Sequence, residues 1–205
     1  MTNNDYFWPG IVAVALALLY PTYWIYEVGF GDFAVFGDDY VRELRLSFAD
    51  LLFLAIGAMV VYVVVSFKRI LADQLNFHGV DLLLNILVVS TALFYAGSFI
   101  AEAILLLTRD SISSSSDEGI IALFIVSLVG FIVISGLLEI LIGIFLIREF
   151  NLLPLLLKIF SIAILITGLF DITVVLSLGG MFLFPVSMLI LAAYFLQKPR
   201  MLEVV

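Results

Sequence analysis

Residues 120–147 read IIALFIVSLVGFIVISGLLEILIGIFLI, twenty-eight positions of which only Glu139 carries a formal charge. A helix rises about 1.5 Å per residue, so this run is long enough to cross the roughly 30 Å hydrocarbon core of a bilayer. A helix apolar on every side has no face to offer water. The run therefore reads as a transmembrane span, and the rest of the chain repeats the pattern.

Composition makes the same argument for all 205 residues, because 64% are hydrophobic and 13% charged. Soluble domains run nearer 45–50% apolar and about 25% charged. A fold this small must leave much of its residue set at its surface, so that surface has to meet lipid. The chain has no cysteine and a single histidine, His78. Disulfides, thiolate metal sites, iron–sulfur clusters, bis-histidine haem and multi-histidine zinc are thereby excluded, and no cofactor is expected. A net charge of −8 with no cluster of Lys and Arg argues against nucleic acid as a partner. Membrane lipids are the expected surroundings, with a homo-oligomer or other membrane subunits as protein partners.

Six spans are predicted, over residues 9–26, 51–67, 82–107, 120–147, 154–176 and 181–197. Together they make one all-α transmembrane domain over residues 1–205, a six-helix bundle of three antiparallel hairpins. Tyr6, Phe7 and Trp8 precede the first span, and Tyr20, Tyr23, Trp24 and Tyr26 close it. Such aromatic belts settle at the two headgroup levels. Asp5 precedes this span and no Lys or Arg does, so it reads as a crossing and not as a cleaved leader. The last two spans are divided at Ser177-Leu178-Gly179-Gly180, where paired glycines suit a tight turn. Pro21 and Pro185 are expected at kinks or helix starts.

Basic residues set the orientation. With both termini in the cytoplasm, the inner side collects Lys68, Arg69, Arg148, Lys198 and Arg200, with Lys158 close behind, against Arg42, Arg45 and Arg109 outside. The expected location is the cytoplasmic membrane of a bacterium or archaeon. Residues 29–47 mix aromatic and acidic side chains, as a segment lying on the membrane surface would. Residues 68–81 read as a short extension of the second span.

Three carboxylates, Glu102, Glu139 and Asp171, interrupt the apolar runs. An ionisable group at a helix centre costs about 2.5–3.5 kcal/mol on insertion scales, so each needs a partner, water or a proton. Thr91, Tyr95, Ser98 and Glu102 share a stripe roughly 60° wide on the third span, and Arg109 continues it. The stripe either bonds a neighbouring helix or lines a hydrated ion or proton path. Asp171 lies on one face with Ser161 and Gly168, and both Glu102 and Asp171 fall one to two turns from the outer surface. They could meet at one depth and share a proton or cation; alternatively each reaches interfacial water, with Arg109 as the counter-ion of Glu102. Glu139 shares its face with Ser135, Gly136 and Gly143, small residues that admit another backbone, and is expected to form a structural ion pair with Lys158. His78 reads as a loop residue without a partner in sequence.

Three functions follow in decreasing order of support. The first is a small non-enzymatic channel or transporter for protons or small cations, with Glu102, Asp171, Thr91, Tyr95 and Ser98 in its path. The second is an accessory or scaffold subunit of a membrane complex. The third, an enzyme acting on lipid, lacks a convergent set of acid, base and metal ligands.

Overall fold

A computed structural model describes residues 6–30, 45–108, 117–173 and 176–197. They form α1 (Phe7–Phe30), α2 (Phe48–Leu75), α3 (Asp81–Thr108), α4 (Asp117–Arg148), α5 (Leu155–Ile172) and α6 (Ser177–Leu196), with a short 3-10 turn at Phe150–Leu152. There is no strand among the described residues. All six helices are long and apolar enough to cross a membrane, which makes this a polytopic membrane protein.

Local chemistry fixes the helix ends. Ser47 caps α2, its Oγ accepting the Ala49 N–H at 3.1 Å, while Asp50 reaches back to accept the Ser47 N–H at 2.5 Å. This reciprocal box satisfies backbone donors that the first turn leaves without partners. Ser47→Ala should lower stability by about 1 kcal/mol. A midpoint shift in detergent unfolding curves would measure it, and an unchanged midpoint would contradict the cap. At the other end Asn76 adopts the left-handed conformation, φ 48°, with its N–H on the Ala72 carbonyl and the Phe77 N–H on the Leu71 carbonyl. That stop lies beyond Lys68 and Arg69, so α2 extends past the apolar run as expected.

The division between α5 and α6 falls earlier than the paired glycines. α5 ends at Ile172, and Gly179 and Gly180 lie inside α6. Thr173 supplies the stop: its hydroxyl donates to the Phe170 carbonyl at 2.7 Å and accepts the Leu176 N–H at 3.3 Å. Pro21 and Pro185 likewise sit within α1 and α6.

The main contacts run α1 to α2, α2 to α3, α3 to α4, α4 to α5, α5 to α6, and α6 back to α1, so the helices form a closed ring. Glycines set how closely they approach. Gly57 of α2 leaves room for the Tyr95 ring of α3, and Gly10 of α1 for Leu196 of α6. At one end of the ring polar side chains tie helices together: Tyr6 donates to Asp73 at 2.8 Å, Tyr194 to Gln74 at 2.9 Å, and Lys68 to Asn85 at 2.9 Å. Beneath these ties Ile70, Leu71, Leu146 and Leu157 are fully buried and pack as a dense core.

Candidate functional site

Inside the ring lies a cavity of about 510 Å³ to which all six helices contribute. Its walls are mostly apolar. Phe67 and Phe160, 5.0 Å apart and edge to face, line it towards the dense core. Towards the other end stands a collar of ring pairs: Tyr20 with Phe184 at 4.5 Å, Phe53 with Tyr95 at 4.4 Å, and Phe94 stacked on Phe131 at 4.1 Å.

The polar part of the cavity is built on the crossing of α4 and α5. Gly136 and Gly168 meet there, so closely that a Cβ on Gly168 would stand 2.5 Å from the Gly136 carbonyl oxygen. The same Cβ would lie 3.0 Å from Glu139 Cβ, and one on Gly136 would lie 3.0 Å from Asp171 Cβ. The two carboxylates therefore flank one glycine contact from opposite helices. Both line the cavity, Asp171 acts electrostatically on Glu139, and Tyr20 lies within range of both. α6 makes room for Asp171 with Gly180, where a Cβ would stand 2.5 Å from Asp171 Oδ1. This explains a glycine that the sequence suggested as a turn former.

Ser135 Oγ, Glu139 Oε2 and Ser187 Oγ are buried with no hydrogen-bond partner among the described residues, and all three residues line the cavity. Ser135 and Glu139 are each 8% exposed and Ser187 2%. Buried polar groups without partners are uncommon and point to water, an ion or a ligand. The hydroxyls of Thr167 and Ser161 are satisfied locally, donating to the Ala163 and Lys158 carbonyls at 3.0 and 2.8 Å.

Thr91, Tyr95 and Asp171 line the cavity; Ser98 and Glu102 are not among its lining residues. Glu102 is half-buried and acts electrostatically on Tyr23, as do Glu27 and Asp50, which places it towards α1 and α2. Depth alone suggests that Glu102 and Asp171 meet, but α4 stands between α3 and α5 in the ring, and across the Gly136–Gly168 contact the acid opposite Asp171 is Glu139. Arg109 lies outside the described residues.

Glu139 and Lys158 do not pair. Glu139 packs at Gly168, ten residues along α5 from Lys158 and so about 15 Å away by helical rise. The Lys158 ammonium sits over the Phe150 ring, 5.0 Å from its centroid, in a cation–π contact. His78 does have a partner, its Nδ1 lying 2.9 Å from Asp81 Oδ2 three residues on.

Ser187 and Thr167 escaped the sequence reading, and Ser135 entered it only as a small residue. A signal was present: Ser135–Glu139 and Thr167–Asp171 each set a hydroxyl four residues before an acid, on one helix face. Ser187 carries no such mark. Among the described residues, no three His, Cys, Asp or Glu side chains converge as a metal site would require.

No family model, characterised protein or solved structure matches the chain.

Proposed function

We propose that the chain is a small transporter or channel for protons or small cations, with Glu139 and Asp171 as its ion-binding pair. The observation that carries this reading is the gathering of three unpartnered buried polar atoms, on Ser135, Glu139 and Ser187, around one cavity that also holds Asp171. Two neighbouring carboxylates in a low-dielectric interior repel each other, and a shared proton or a cation relieves that repulsion. Buried ionisable groups facing the inside of a membrane bundle are the usual building material of ion and proton paths. Thr91 and Tyr95 line the path from α3, while Glu102 and Ser98 stand outside it.

The whole chain acts as one transmembrane domain with both termini in the cytoplasm. Lys68 and Arg69, about two turns before the end of α2, and Arg148, the last residue of α4, support this orientation. A second reading, an accessory subunit, draws on α4, whose apolar window is only 11% buried within the chain against 44% for α6. That face meets lipid, a second copy or another membrane subunit.

Purified protein in liposomes should dissipate an imposed proton or cation gradient. Glu139→Gln and Asp171→Asn should each slow the flux at least about tenfold, the range that removal of a positioned proton-transfer group reaches. Glu102→Gln should leave it within about twofold. Equal flux in all variants, or none in the wild type, would defeat the transport reading. Co-purification with unrelated subunits in the latter case would favour the accessory role.

A further inference from the structure

We propose that the central cavity binds a hydrophobic organic cation, an amine carrying an aryl or alkyl body. The inference deepens the reading of the cavity as a transport site and rests on it for location only.

Size is the first argument. A bare proton or metal ion needs a few oxygen ligands and no more, whereas about 510 Å³ lies within the range of pockets that hold drug-sized organic molecules. Wall chemistry is the second. Towards Phe67, Phe160, Leu84 and Leu191 the cavity offers only hydrocarbon, which a hydrated ion would not fill favourably. An apolar ligand body replaces that empty contact with dispersion and burial.

The polar atoms of the cavity suit a cationic head. They are concentrated at the α4–α5 crossing, where Glu139 Oε2 and the Ser135 hydroxyl have no partner among the described residues, and the Ser187 hydroxyl of α6, likewise without one, lines the same cavity. An ammonium supplies N–H donors and the opposite charge to such a group. Tyr20, Trp24 and Phe184 line the same cavity, and aromatic rings attract cations. The ligand therefore lies with its cationic head against Glu139 and Asp171 and its body towards Phe160. An anion would meet two carboxylates, and a neutral molecule of the same shape would leave them uncompensated.

Three probes with one body separate these cases: 4-phenylbutylamine, 4-phenylbutanol and 4-phenylbutyrate. Trp24 reports occupancy by fluorescence, since it lines the cavity while Trp8, 65% exposed, can be replaced by phenylalanine. In detergent-solubilised Trp8→Phe protein the amine should bind saturably and at least tenfold more tightly than the alcohol, and the carboxylate should not saturate. Glu139→Gln or Asp171→Asn should shrink the amine-to-alcohol preference below threefold. Equal binding of amine and alcohol, an undiminished preference in both variants, or no saturable binding of the amine would overturn the proposal. Ion flux into liposomes without amine binding leaves the transport reading standing and removes this one. Amine binding without any flux does the reverse.

Discussion

Leucine in place of Gly168 should destabilise the protein by at least about 3 kcal/mol, the upper range for forcing atoms into a packed interior. Even the first added carbon meets backbone, standing 2.5 Å from the Gly136 carbonyl oxygen and 2.9 Å from the Ile140 nitrogen. Backbone inside a helix cannot step aside as a flexible side chain can, so relief requires α4 and α5 to separate. That movement would draw Glu139 away from Asp171, and the cavity's acidic pair would be lost with the stability. Gly130→Ala is the matched control, because its Cβ would meet nothing within 4 Å. There the better helix propensity of alanine should leave stability unchanged or raise it by up to about 1 kcal/mol. Thermal unfolding in detergent, followed by circular dichroism, reads both. A Gly168→Leu midpoint within a degree or two of wild type would mean that the two helices do not cross at this glycine.

The six spans were legible because their cause is one-dimensional: a run of apolar residues declares itself whatever its neighbours are. Ends were legible only where a local group makes them. The Thr173 stop was obscured by Gly179-Gly180, whose lack of side chains serves Asp171 across the helix pair and not a turn. The site was harder to read, because a helical wheel gives the direction of a side chain relative to its own helix and says nothing about which helix stands opposite. Thr91 and Tyr95 of the stripe line the cavity, yet its continuation through Ser98 to Glu102 leaves the lining. Glu139 was assigned to Lys158 because a lone buried charge is costly, which is sound as energetics. The rule fails here because the register of α4 on α5, fixed by Gly136 and Gly168, carries the lysine about three turns away. Long-range register of this kind has no signature within a single helix.

That same energetic rule turns Glu139 into a test of purpose. A carboxylate retained for structure is held by a partner, and removing one member of a buried pair destabilises by about 3–5 kcal/mol. Glu139 instead has a buried oxygen without a partner among the described residues, and the charge that acts on it is the like-charged Asp171. Replacing it by glutamine keeps the shape and removes an acid that, beside Asp171, must either hold a buried charge or take up a proton. Glu139→Gln should therefore raise stability, by about 1–2 kcal/mol if a half of the insertion cost of an ionised side chain is recovered. For a chain of this length each kcal/mol moves the unfolding midpoint by about 2–4 °C. The same variant is expected to lose ion flux, so the two changes run in opposite directions. This opposition is the mark of a residue that a protein keeps at the expense of stability because its chemistry requires it. Thermal midpoints of wild type and Glu139→Gln in one detergent decide the matter before any flux is measured. A lowered midpoint would return Glu139 to a structural role, with an interaction that the cavity geometry does not reveal.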